Sequence, residues 1–143
     1  MAQDGVVKEA LTDLMIHVGA ELTRKLDEMQ WPVHASLWLY MSEANQWRLV
    51  LASPRVRSDG PKKSYETIQS ALAATTAAEG TLSLRDIAVT DPQNPLIALL
   101  SMTFRTGPTV GCIRFTRNAI NGQFIDDAYI YRISDTAPSG PPA

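Results

Sequence analysis

From residue 5 to residue 30 the apolar side chains Val7, Leu11, Leu14, Met15, Val18, Leu22, Leu26 and Met29 recur at steps of three and four, a spacing that lines one face of a helix. Asp4 offers its carboxylate as an N-cap to the first free amides. Trp31-Pro32 closes the element, because proline disfavours helical geometry in the residue before it. The period then drops to two: Val33, Ala35, Leu37, Leu39 and Met41 alternate with His34, Ser36, Trp38 and Tyr40, as in a strand. The polar run from Ser42 to Gln46 reads as a turn and Trp47 to Leu51 resumes the apolar character, so the two strands make a hairpin. Both faces of that hairpin are largely apolar, which requires cover on each side.

Pro54 to Lys63 reads as a loop around Gly60-Pro61, followed by an alanine-rich second helix marked by Tyr65, Ile68, Leu72 and Thr75 and ending at Gly80. Leu82, Leu84, Ile87 and Val89 suggest a short strand that breaks at Asp91-Pro92. Residues 96–105 fit two patterns, a helix through Leu96, Leu99, Leu100, Thr103 and Phe104 or a strand through Ala98, Leu100, Met102 and Phe104. The strand is favoured, because Thr106-Gly107-Pro108-Thr109 makes a turn into the strand that follows. That strand, Gly111 to Ile120, meets Asn121-Gly122, the strongest short signal for a type I′ hairpin turn. With Ile120 facing Gln123, Ile113 pairs with Ile130, Phe115 with Ala128 and Arg117 with Asp126. One face is then apolar, and the other carries Cys112, Arg114, Thr116, Asp127, Tyr129 and Tyr131. Residues 135–143 read as a disordered tail, leaving 1–134 as one domain. The expected class is α+β: an antiparallel sheet of about five to six strands, with an N-terminal amphipathic helix and a second helix packed on it.

Composition narrows the function more than the fold. In 143 residues, 45% hydrophobic and 20% charged, the net charge is -2, which supplies no field to draw the chain onto nucleic acid. The apolar runs are too short to span a membrane. The start lacks the basic and apolar segments of a secretory signal, and the single Cys112 cannot form an internal disulfide, so a cytoplasmic location is expected. His17 and His34 have no second ligand at metal spacing, and no metal or cofactor is expected. No serine sits in a nucleophile elbow, and Cys112 reads as a small buried hydrophobe in a central strand. Asp126 and Asp127, as neighbours on a strand, point to opposite faces and do not suit joint acid-base work. Arg55, Arg57, Lys62 and Lys63 form a basic loop before a helix, a candidate anion site without the glycine spacing of a P-loop.

The order helix, two strands, helix, then further strands resembles that of GAF and PAS sensory domains. Leu82-Ser83-Leu84-Arg85-Asp86-Ile87-Ala88 with Asp91-Pro92, and Val110-Gly111-Cys112-Ile113-Arg114-Phe115, are similar to segments of GAF domains, whereas a final strand from Ala128 to Ile133 is closer to a PAS-like meander. The resemblance implies a non-enzymatic regulatory or sensory domain, a homodimer or a holder of a small molecule against its sheet. The residues that suit such a site are Trp38, Tyr40, Arg114, Thr116, Tyr129 and Tyr131, amphipathic aromatics beside an arginine. Two other classes fit the same residues: an adaptor whose sheet face docks a protein partner, and a small enzyme whose basic loop anchors an anion.

Overall fold

The computed structural model describes residues 8–75, 82–106, 109–120 and 122–134. Asp4, Gly80, Gly107-Pro108, Asn121 and the expected tail lie outside them. The first helix, α1, spans Asp13–Glu28. It begins eight residues later than the periodicity predicts, because Thr12 is its N-cap and accepts a hydrogen bond from the Met15 amide at 3.1 Å. Val18, Leu22 and Leu26 are fully buried, but Leu14 and Met29, counted on the same stripe, are 51% and 42% exposed. The helix stops before Pro32 through a left-handed Gln30 at φ 63°. Gln30 N–H bonds Asp27 C=O and Trp31 N–H bonds Leu26 C=O, the paired closure that satisfies the last free carbonyls of a helix.

The hairpin follows as expected, with β1 over Ala35–Met41 and β2 over Gln46–Ala52 in the register Ala35↔Ala52 to Met41↔Gln46. The basic segment is not a loop. It folds into a short helix α2, Arg55–Asp59, and then into α3, Pro61–Ala73. Gly60, at φ 89°, makes the corner between them, and Pro61 takes the first helical position, where its missing N–H costs nothing. After a single 3₁₀ turn at Leu84–Asp86 comes β3, Ile87–Thr90. It pairs parallel to β2, against the all-antiparallel expectation, because the crossover through α2 and α3 returns the chain to the end from which β2 set out.

The favoured strand at 96–105 is instead a helix, α4, Pro95–Thr103. Asn94 caps it by accepting from the Leu96 amide, and Pro95 stands at the first helical position. That start signal outweighs the two-residue alternation behind it. The strands β4, Ile113–Ile120, and β5, Gln123–Ile133, pair in the predicted register, with Ile113↔Ile130, Phe115↔Ala128 and Ile120↔Gln123. The ladder passes from Thr116↔Asp127 to Asn118↔Ile125, and between them Arg117 takes φ 44°.

Together the strands form one mixed, mostly antiparallel sheet in the order β3-β2-β1-β5-β4. Helices α1 and α3 cover one face, packing Val18, Leu22, Leu26, Ile68 and Ala71 against Trp38, Leu49, Leu51, Ile87 and Tyr131. Helix α4 covers the other, where Ile97 and Leu100 meet Leu37, Val50, Ala128 and Ile130. Two buried faces explain why the hairpin is apolar on both sides. Cys112 is exposed, not buried, since it precedes β4 at the edge of the sheet and not in its centre.

Candidate functional site

The site-bearing face is set by a register that runs through all five strands. Ile87, Leu49, Trp38, Tyr129 and Arg114 stand opposite one another in a single row. The β1–β5 ladder shifts between Ser36 and Leu37, so that Ser36 pairs with Arg132 and Leu37 with Ile130. This bulge leaves Tyr131 without a direct partner across that ladder and turns both Tyr131 and Arg132 toward α1. Tyr131 donates its hydroxyl hydrogen to the Ile16 carbonyl. Trp38 Nε1 donates to the Met15 carbonyl at 3.2 Å and to the Tyr131 oxygen at 3.0 Å. Arg132, fully buried, grips Asp27 with two nitrogens at 3.0 and 2.7 Å.

Of the six residues expected to form a recognition face, three are therefore under cover. Trp38, Tyr40 and Tyr131 are buried beneath α1 and the segment before it, and burial drives the Tyr131 phenol well above its ordinary value. Arg114 and Thr116 are exposed and Tyr129 is half-buried. Tyr129 meets Tyr131 edge-on, ring centres 5.4 Å apart. Its phenol is raised first by burial and then by its contact with Cys112, with Arg114 pulling the other way. Where α1 stops short of β4 a groove of about 520 Å³ opens, with Tyr129, Tyr131, Val110, Gly111 and Cys112 on the sheet side and Ile16, His17, Ala20 and Arg24 on the helix side.

A second cluster lies at the far end of the same face. Arg114 forms a forked ion pair with Asp127, at 2.7 and 2.8 Å. Lys8 Nζ reaches Asp127 at 2.9 Å and Asp126 at 3.7 Å. Burial acts to raise the Asp127 carboxyl, but hydrogen bonds from Arg114 and Lys8 outweigh it and hold the group below the usual carboxylate range; Arg114 is raised in return, chiefly by the same bond. Two expectations change here. Asp126 contacts Lys8, whereas it was expected to pair with Arg117, whose left-handed backbone breaks the regular alternation at that point. Asp126 and Asp127 also share one cation, although only Asp127 is close enough to hydrogen-bond it.

The sequence pattern misses Lys8 and Trp47 as parts of this cluster. Trp47 comes opposite Tyr40 because the turn is confined to 42–45, one residue shorter than the polar run, and pairs Met41 with Gln46. Lys8 was not legible, because the apolar periodicity places it inside a helix that begins only at Asp13. Half of the basic segment is engaged in local pairing: Arg55 holds Asp59 at 2.8 Å, and Arg57 holds Asp91 and Gln93, both at 2.9 Å. Lys62 and Lys63 are exposed in the first turn of α3. His34 lines a separate hollow of about 230 Å³ with Arg57 and Asp91, apart from Arg114. Among the described residues no group of three or more His, Cys, Asp or Glu is placed to hold a metal ion, and no helix is long and apolar enough to cross a membrane. No family model matches the chain, and neither does any curated protein or any solved structure.

Proposed function

We propose that the chain is a non-enzymatic regulatory module that takes a small amphipathic molecule in the groove between α1 and the β4–β5 edge. The observation that carries this reading is the division of the aromatic face: α1 buries Trp38 and nearly all of Tyr131 but leaves Tyr129 half-open with Cys112 beside it, and the two tyrosines together line an opening of about 520 Å³. That volume lies within the range of small-molecule sites, which combine apolar walls with a few fixed polar groups. Here the walls include Ile16, Ala20 and Val110, and the polar residues include Asp13, His17, Arg24 and Tyr129.

A ligand in this groove has a direct route to the helix. Tyr131 lines it and also bonds the Ile16 carbonyl, so a molecule that shifts Tyr131 shifts α1. Thermal-shift screening against nucleotides, aromatic acids and other metabolites tests the reading. A stabilising compound is expected, and its effect should disappear in Ala20→Trp, where the new ring fills the groove. Failure of every class to stabilise the unsubstituted chain, or binding that Ala20→Trp leaves intact, removes the proposal.

A second reading, pairing of two copies or docking of a protein partner, rests on β4. It is an edge strand of eight residues, mostly exposed from Arg114 to Ala119, and an open edge is a template for strand addition. Arg114 and Arg117 limit such pairing, as does the left-handed Arg117 backbone. Light scattering separates the two readings, since edge pairing predicts a dimer that Thr116→Pro abolishes.

A further inference from the structure

The geometry points to a second binding site, for a lysine ammonium carried on an extended peptide, at the sheet end built from Tyr40, Asn45, Trp47 and Asp127; the chain's own Lys8 and Glu9 occupy it. Lys8 lies outside α1, in the non-helical segment before the Thr12 cap. Its Nζ is 4.6 Å from the centre of the Tyr40 ring and 5.8 Å from that of Trp47, within the range at which ring faces attract a cation. Its hydrogen bond goes to Asp127, whose side chain is only 5% exposed. Two aromatic rings and a buried carboxylate around one ammonium form a cation cage.

The cage also reads backbone. The residue after the lysine is held at both ends: Glu9 N–H donates to Asn45 Oδ1 at 2.8 Å, and Glu9 C=O accepts from Trp47 Nε1 at 2.8 Å. Asn45 Oδ1 also accepts from the Tyr40 hydroxyl, which fixes the amide that receives the peptide. Main-chain bonds on one residue with a side-chain site for the residue before it are the elements of extended-peptide recognition.

Every receptor group belongs to the sheet or to its first turn. Tyr40 and Trp47 stand opposite each other on β1 and β2, their rings 5.4 Å apart. Asn45 sits in the turn between those strands at φ 49°, and Arg114 holds Asp127 from β4. Each of these residues also has a contact outside residues 8–12, Tyr40 with Trp47 and Asn45 and Asp127 with Arg114, which keeps the cage's frame when the segment leaves. A competing lysine peptide therefore acts by displacement, releasing the strand of chain that leads into α1.

The test uses the full chain carrying Lys8→Ala and a blocked peptide of sequence Lys-Glu-Ala-Leu, with Met-Glu-Ala-Leu as its control. The readout is the indole N–H resonance of Trp47, assigned with Trp47→Phe. Saturable movement of that resonance by the lysine peptide is expected, roughly tenfold tighter than by the methionine peptide, the difference one charge-assisted bond makes. Asp127→Asn placed in the same background should remove the preference. The unsubstituted chain, whose site is filled from within, should need roughly tenfold or more peptide for the same movement, and this measurement stands even if Lys8→Ala weakens the fold. Equal response to the two peptides, or a Trp47 resonance that neither moves in either protein, overturns the proposal.

Discussion

Gly19 lies on the buried face of α1, and replacing it with alanine sets two effects of opposite sign against each other. In an unconstrained helix interior the change gains about 1 kcal/mol. Here a Cβ at Gly19 would collide with the Tyr131 hydroxyl and lie 2.7 Å from Trp38 Nε1 and 2.9 Å from Tyr131 Cε2. Neither ring can swing aside, since both are buried in the core. The helix must lift, or the bonds from Tyr131 to Ile16 and from Trp38 to Met15 must break. Overpacking costs about 1–3 kcal/mol, and each polar group left buried without a partner costs about 1–3 kcal/mol more. With one such group unpaired, and set against the propensity gain, Gly19→Ala should destabilise by about 1–5 kcal/mol. Urea unfolding followed by tryptophan fluorescence should show a lower midpoint at unchanged slope, with the melting temperature falling by roughly 3 °C per kcal/mol. Tyr131→Phe removes the oxygen nearest the new methyl, so it should cost less in the alanine background than in the native one. A Gly19→Ala protein about 1 kcal/mol more stable than the parent would refute the close approach of α1 to the sheet.

Three further outcomes follow from the contacts. Asp27→Ala leaves the buried Arg132 guanidinium without its forked partner and should cost about 3–5 kcal/mol by chemical denaturation; a loss below 1 kcal/mol would mean that water reaches Arg132. Gln30→Gly relieves a left-handed residue at the end of α1 and should stabilise by about 0.5–1 kcal/mol, read as a higher urea midpoint. Asp127 is held below its ordinary value of 3.8, so its contribution to stability is fully present above that pH and is lost as pH falls through the lower folded value. The stability gap between the native chain and Asp127→Asn should therefore be flat near neutrality and shrink in acid; a gap that widens in acid contradicts the assignment.

The parts legible in the sequence are those in which one period acts alone. The hairpin of β1 and β2 and the register of β4 with β5 were readable because alternation and turn chemistry agree over Ala35–Ala52 and around Gly122. Periodicity failed where a cap competes with it: Thr12 starts α1 well inside an apolar pattern, and Asn94-Pro95 starts α4 in a stretch that also alternates. The parallel placement of β3 depends on where α2 and α3 return the chain, a tertiary outcome that no local pattern encodes. The recognition face was half legible. Alternation put Trp38, Tyr129 and Arg114 on one side of the sheet, but how far α1 extends over them is set by the bulge that aims Tyr131 and Arg132 at it. The bulge has no signature in sequence. The Lys8 cage was hidden for a related reason, since its lysine and its rings come together only after the sheet has formed.

The strand order places β5 between β1 and β4, although it is the last of the five to be made. During synthesis on the ribosome, the backbone edge of β1 that faces away from β2 stays unpaired until β5 has been made, even though α1 and α4, which cover Trp38 and Leu37, precede it in the chain. The nascent chain thus passes through a stage in which its most adhesive edge has nothing to bind but other chains. Slow translation after β2 would lengthen that exposure.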